Sequence, residues 1–260
     1  MSLVAALCCS TSLAAVALWK KALTISGTML AWLCCLIITV GGGLTGFAIL
    51  LMTFAGTVAA DKLAGKRADP LGVRRKSGSR GADRIFCNVG VGTIAMLLYL
   101  TTSQKLFLPV FAAVMAESLA DSLASKLGPL SKKDPVDIIT REKISTGLSG
   151  GVTTLGTLSE AAGALLIASL YGAGTGDLRG SLIVFFAGFT GAMFDSVLGS
   201  RVQLKYCCTV CGTVTEREDH CGEKTEKISG WKYMSNDMVN FSSNMYSLII
   251  SLLLSVVAAA

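Results

Sequence analysis

The sequence predicts an all-α, multi-pass transmembrane bundle of about eight spans, forming one integral-membrane domain over residues 1–260. Three observations predict it. Hydrophobic residues make up 52% of the chain and charged ones only 15%, with mean hydropathy +0.62, a balance that water-soluble domains seldom have. Apolar runs near the length of about 20 residues that crosses a bilayer recur along the chain. Charge is sorted by loop as well. The segments at Lys20-Lys21, 61–85, 126–147 and 201–240 carry 2, 8, 5 and 6 Lys or Arg, which is 21 of the 23. The positive-inside rule then predicts that these long loops are cytosolic and both termini lie on the other side.

The expected spans cover about 2–18, 22–41, 43–60, 86–104, 106–125, 148–171, 180–200 and 241–258. The first run has no charge before it and Lys20-Lys21 after it, the pattern of a retained span rather than a cleaved leader. Gly41-Gly42-Gly43 separates the second from the third, or joins them in one re-entrant unit. Span four is entered through the basic stretch 76–88. Span five carries Glu117 and Asp121 four residues apart, on one helical face. Span six follows Arg141-Glu142-Lys143 and a run of glycines. Span seven ends in Phe194-Asp195-Ser196, and span eight begins at Asn236-Asp237-Met238-Val239-Asn240. A weak internal echo links Ala-Asp-Lys-Leu-Ala-Gly (60–65), Ala-Asp-Ser-Leu-Ala-Ser (120–125) and Phe-Asp-Ser-Val-Leu-Gly-Ser (194–200), each setting one Asp at the exit of an odd-numbered span.

Acids inside apolar helices are costly unless they meet cations, metal or water, so Glu117 and Asp121 point to a functional site. Magnesium takes a few carboxylates together with substrate phosphates. Its candidate ligands are Asp121, Glu117, Asp195 and Asp237, and the bland alternative is acid–base pairing that merely holds helices together. Glycines let backbone N–H groups approach an anion, and a following helix aims its N-terminus at it. Gly147, Gly150 and Gly151 are therefore candidates for a phosphate cradle, with Lys143 as its neutralising cation; their spacing is not that of a P-loop. Arg80, Arg84, Asn88, Ser122, Ser125 and Asn240 complete the expected polar wall. The basic residues of the 61–85 loop can equally anchor topology or bind anionic lipid, and Asn236 or Asp237 can cap the last helix. In the 201–240 loop, Cys208-x-x-Cys211 followed by His220-Cys221 is a candidate structural zinc knuckle, although adjacent His and Cys are poor spacing for its second half.

These stretches, above all Ala-Asp-Ser-Leu-Ala-Ser-Lys-Leu-Gly-Pro (120–129), Ile-Ile-Thr (138–140) and Gly-Leu-Ser-Gly-Gly-Val-Thr (147–153), resemble a family of integral-membrane proteins. That family includes the plant phytyl-phosphate kinase of vitamin E synthesis and the animal transmembrane protein nineteen. Gly-Ser-Arg (78–80), Phe-Cys-Asn (86–88), the Asp195 stretch, the Cys and His pairs and Asn-Asp-Met-Val-Asn (236–240) are similar in the same order, from about residue 25 onward. The resemblance implies a kinase that extends a prenyl monophosphate to the diphosphate, using a nucleoside triphosphate such as CTP with magnesium. It implies a bilayer as host, in the endoplasmic reticulum or a plastid, and a nucleotide site at Asp121, Ala124 and Gly128; Asp121, with Lys143 as the cation read from the residues, is then the expected catalytic pair. No nucleic-acid partner is expected, and the oligomeric state stays open. One departure stands out: Lys126 occupies a position where the family pattern has Glu, which turns a ligand into a cation. Two rivals remain at this point, a carrier of lipid phosphates and a non-catalytic membrane scaffold; a carrier would place its site near the membrane midplane.

Overall fold

The computed structural model describes residues 2–69, 72–73 and 81–259. It is a helical bundle. The helices are α1 (Leu3–Trp19), α2 (Ile25–Ala64), α3 (Ala82–Ile85), α4 (Val91–Thr102), α5 (Phe107–Leu127), α6 (Thr154–Thr175), α7 (Leu178–Arg201) and α8 (Asn236–Ala259). A π-turn over Phe86–Gly90 joins α3 to α4 in one continuous rod. Six of these units are long and apolar enough to cross a membrane, while α1 is a shorter apolar helix of 17 residues.

The difference from eight expected spans has a local cause. Residues 22–41 and 43–60 belong to one element, the 40-residue α2, bent sharply at Gly43 where φ is +59° and ψ is −144°. A Cβ on Gly46 would lie 2.9 Å from the Ile38 carbonyl oxygen, although a straight helix separates residues that far apart by about 12 Å. The bend sits beside Met96 and Leu100 of α4 and Gly174 of α6. Near its two ends, Leu23 and Asp61 meet at one cavity on the opposite side of the bundle. Both arms of α2 therefore run toward the same end of the molecule.

Helix α5 is the axis. Every residue from Pro109 to Ala120 is buried, because α2, α4, α6, α7 and α8 all pack on it. Small residues allow this closeness. Cβ atoms on Gly163 and Gly156 of α6 would stand 2.9 Å from the Ala120 Cα and 3.4 Å from the Gly128 Cα, the small-residue packing of membrane helices. Helix α8 turns a polar seam inward: Ser243, Asn244, Ser247 and Ser251 are fully buried. Its outward Leu253 and Val257 are exposed, as lipid-facing side chains are.

The loops carry short strands and turns of their own. Span six was expected from 148, but α6 begins only after the Thr153 cap. Gly147 and Gly150 take left-handed φ values of +95° and +89°, which continue no helix. Strand β2 (Gly151–Val152) then pairs antiparallel with β1 (Val136–Asp137). The 201–240 segment forms small sheets. In the first, β3 (Lys205–Cys207) lies between β4 (Val214–Thr215) and β7 (Glu226–Ser229); in the second, β5 (Asp219–His220) pairs with β6 (Glu223–Lys224).

Candidate functional site

A cavity of about 480 Å³ opens where α5, α6, α7 and α8 meet the loops. Asp121, Ser122, Ser125, Asn88, Asn240, Asp195, Asp237, Gly147, Gly150 and Gly151 all line it, so most of the residues predicted for the phosphate site come together. Asp61 joins Asp121 and Asp195 there, which gathers the three echoed Asp residues at one place. The apolar part of the wall comes from α1, α2 and the turn between them and includes Leu13, Leu23, Trp32, Leu50 and Phe54.

The carboxylates form a graded cluster. Glu117, Asp121, Glu160 and Asp195 are mutual electrostatic neighbours. Asp121, Glu160 and Asp195 face the cavity. Glu117 lies behind them, buried, with its Oε1 2.6 Å from Ser243 Oγ and its Oε2 3.3 Å from Ser118 Oγ. Ser243 Oγ is also 3.1 Å from Asp195 Oδ2. The Asn240 amide is oriented so that its NH₂ donates to Asp195 Oδ2 at 3.2 Å and to the Asn236 carbonyl at 3.0 Å, since the reverse would set oxygen against oxygen. Glu117 is thus a support for the wall rather than a ligand facing the cavity. Glu160 is a functional candidate that the sequence reading passes over, although it carries the same signal, an acid in an apolar helix.

Among the described residues two cations reach this wall: Arg84, from the basic stretch expected to meet phosphate, and Lys126 in place of the expected Lys143. Lys126 Nζ pairs with Asp61 Oδ1 at 2.8 Å, and Arg84 Nε with Asp237 Oδ1 at 3.1 Å. Lys143 does not line the cavity; it is exposed and pairs with Asp134 at 2.9 Å. The β1–β2 pairing turns it away: Val136 bridges Lys143 on one side and pairs with Val152 on the other. Arg80 lies outside the described residues.

The glycine loop lines the cavity, but its amides are largely committed. The Leu148 N–H donates to the Ser145 carbonyl at 3.1 Å, the Gly151 N–H to the Leu148 carbonyl at 3.3 Å, and the Ser149 N–H to Glu216 Oε1 at 2.9 Å. The expected backbone cradle is therefore mostly a shaped wall. The positive end of α6, at Thr153 and Thr157, also lines the cavity. Asp137 fixes the loop from beneath. Its Oδ1 accepts from the Ile139 and Thr140 N–H groups and from Ser200 Oγ, each at 2.9 Å. Burial pushes this carboxyl up, yet those hydrogen bonds and the nearby Lys205 outweigh it and hold it below its ordinary value.

The π-turn contributes as well. It widens one helical turn and frees carbonyls: the Asn88 carbonyl accepts from Ser118 Oγ at 2.8 Å, and the Cys87 carbonyl from the Asn244 side chain at 3.0 Å. These bonds hold the Asn88 side chain in the cavity wall.

Among the described residues, one group converges as metal ligands do: Cys208, Cys211, His220 and Cys221, whose ligand atoms all lie within 4.8 Å of one another. The carboxylates do not converge in that way. Of the four acids expected to bind magnesium, Asp121, Asp195 and Asp237 line the cavity, Asp237 in an ion pair with Arg84, while Glu117 lies behind it; Glu160 adds a further carboxylate to the wall.

A bundle of apolar helices with a charged cavity at its loop face defines a multi-pass integral membrane protein. The chain belongs to the DUF92 family of integral membrane proteins, which it matches over residues 8–248. It is similar to Protein PGR of Arabidopsis thaliana, with 26% identity over 251 residues and 86% of each chain covered. It is also 29% identical to an uncharacterized membrane protein of Synechocystis sp., over 72% of this chain and 74% of that one. A membrane protein of Methanocaldococcus jannaschii is 32% identical over 95 residues, 36% of this chain and 40% of that one. No solved structure matches the chain.

Proposed function

We propose that the protein is a membrane kinase that transfers a phosphoryl group from a nucleoside triphosphate, CTP being the expected donor, to a prenyl monophosphate. The observation that carries this reading is the two-part cavity: acids, Lys126 and Arg84 at one end, and the apolar wall of α1 and α2 at the other. A lipid phosphate has the same two-part chemistry. The resemblance to the phytyl-phosphate kinase family supports the same reaction.

Phosphoryl transfer asks for positioning and charge neutralisation rather than covalent chemistry from the protein. Asp121 and Asp195 would hold magnesium, which would supply charge neutralisation for the transferred group. Lys126 and Arg84 exchange their carboxylate partners for phosphate oxygens. The N-terminus of α6 adds its partial positive charge. An oxygen of the acceptor phosphate forms the new bond to the terminal phosphorus of the donor, and the bond from that phosphorus to the bridging oxygen breaks. The diphosphate and the nucleoside diphosphate leave. The attacking oxygen is already anionic, so no general base is required. The apolar wall holds the prenyl tail and keeps water from competing as acceptor. The basic loops, and so the cavity mouth, face the cytosol in this reading.

The test is phosphotransfer by purified protein in detergent, with magnesium, labelled CTP or ATP and a panel of prenyl monophosphates. Asp121→Asn is expected to lower turnover by roughly a hundredfold or more, with an unchanged thermal unfolding profile. Lys143→Ala is expected to leave turnover as it is. A folded protein that turns over no donor, but carries prenyl phosphate across vesicle membranes, would overturn the kinase in favour of a carrier.

A further inference from the structure

The loop between α7 and α8 contains a group of side chains that the cavity chemistry does not use. Cys208 and Cys211 sit in the turn between β3 and β4. There the Gly212 N–H closes on the Cys208 carbonyl at 2.9 Å and Gly212 takes a φ of +69°. His220 and Cys221 sit at the tip of the β5–β6 hairpin, whose central residues Cys221 and Gly222 have φ of +53° and +85°. Such a turn ordinarily takes Asn or Gly at its first central position. A cysteine held in left-handed backbone conformation is uncommon, and strain of that kind marks a side chain wanted in one direction.

That direction is the other hairpin. His220 Nδ1 lies 3.5 Å from Cys211 Sγ and 3.3 Å from Cys221 Sγ, and all four ligand atoms fall within 4.8 Å of one another. A tetrahedral zinc with Zn–S of about 2.3 Å and Zn–N of about 2.0 Å separates its ligands by roughly 3.5–3.8 Å. A disulfide would use two of the thiols and leave a thiol and an imidazole crowded without purpose. Four N and S donors with no fifth position are the composition of a structural site, not a catalytic one. The poor sequence spacing is repaired by folding, because a two-residue hairpin turn presents the adjacent His220 and Cys221 to the same point.

The two hairpins flank one short segment, residues 215–218, and that segment grips the glycine loop. Thr215 Oγ1 and the Glu216 N–H both donate to the Val73 carbonyl, at 2.7 and 2.8 Å. Glu216 Oε1 accepts the Ser149 N–H at 2.9 Å. On the far side, Thr225 Oγ1 donates to the Arg217 carbonyl at 2.6 Å. We propose that Cys208, Cys211, His220 and Cys221 bind one structural zinc ion, and that this ion, by joining the two hairpins, fixes Glu216 and through it the Gly147–Gly151 wall of the cavity. The three thiols bind as thiolates and release their protons to solvent. The inference does not rest on the kinase reading, and its test needs no substrate.

The experiment uses the full-length protein purified in detergent without chelator. Elemental analysis is expected to find about one zinc per chain, retained in Cys207→Ser and reduced at least about fivefold in Cys208→Ser and in Cys221→Ser. Cys207 is the informative control, because it adjoins Cys208 but its Sγ turns to the Gly212 carbonyl at 3.6 Å. Should the variants fail to fold, cobalt exchanged into the wild-type protein is expected to give the thiolate charge-transfer and visible bands of a tetrahedral site. Removing the metal is expected to raise hydrogen exchange at Ser149 and over 213–216 and to leave the α5 axis unchanged. Protein holding no zinc and giving no cobalt spectrum, or a disulfide among these cysteines, would overturn the site. Zinc without any change of exchange at Ser149 would overturn its role in fixing the loop.

Discussion

At Gly150 two constraints coincide. Its φ is +89°, and a Cβ there would stand 2.6 Å from backbone atoms of Ser200. Gly150→Ala is therefore expected to destabilise the protein by about 1–3 kcal/mol, read as a lowered midpoint of thermal unfolding in detergent. Gly212→Ala, with a similar φ of +69° but open space around it, is expected to lower it less. Asp137 makes a prediction in pH. Its carboxyl titrates below the ordinary 3.8 when folded, so the folded state favours the ionised form. That contribution is present above the unfolded value and is lost as pH falls through the lower, folded one. Asp137→Asn is expected to lower the unfolding midpoint at pH 7 and to flatten its decline on acidification below about pH 4; an unchanged acid limb in the variant would refute this role. Lys126 and Lys143 exchange their expected parts. Lys126→Ala is expected to weaken turnover by roughly tenfold or more where Lys143→Ala does nothing, because only Lys126 reaches the cavity.

Between elements, α5 and α6 pack closely through small residues. Gly163→Leu would drive a branched side chain toward the Ala120 backbone, only 2.9 Å from where its Cβ would sit. The helices would have to separate, at a cost of about 1–3 kcal/mol, and the wall shared by Asp121 and Glu160 would open with them. A variant as stable as the wild type by thermal unfolding would contradict this packing. Helix α8 has the reverse of a soluble helix's pattern. Its buried face is Ser243, Asn244, Ser247 and Ser251, and the hydroxyls that bond within the helix or to the Ala187 carbonyl let the backbones come close. Ser247 is also what a Cβ on Gly191 of α7 would strike, so α7 and α8 meet through a glycine and a serine.

For the whole molecule, the arrangement of loops predicts sidedness. Cysteines placed at Lys132 and Lys224, in a background with the exposed native cysteines replaced by serine, are expected to react with a membrane-impermeant thiol reagent from the same side. Cysteines at Ser103 and Gly176, which end α4 and α6 away from the cavity, are expected to react from the other. Labelling of all four from one side would break the topology. The cavity itself exists only at this scale: its wall takes residues from α1, α2, α3, α5, α6, α7 and α8 and from three loops.

Hydropathy, loop charge and acids inside apolar segments determine on their own that the chain is a helical membrane protein and that Asp121 is its point of interest, because the bilayer penalises misplaced charge strongly enough for each residue to report its own environment. The local Gly, Asp and Asn motifs also name many of the polar residues that line the cavity. What depends on distance through space is invisible to that reading. The Gly41–Gly43 run names the place of the α2 bend, but not the packing of Met96, Leu100 and Gly174 beside it. Lys126 gains a partner in Asp61, 65 positions earlier in the chain. Lys143 is turned away by a strand pairing, and Glu117 is withdrawn from the cavity by Ser243 of α8. Tertiary structure alone decides these, since a side chain's chemistry is fixed by its composition while its partner is fixed by which backbones pack close enough to bring it within about 3 Å.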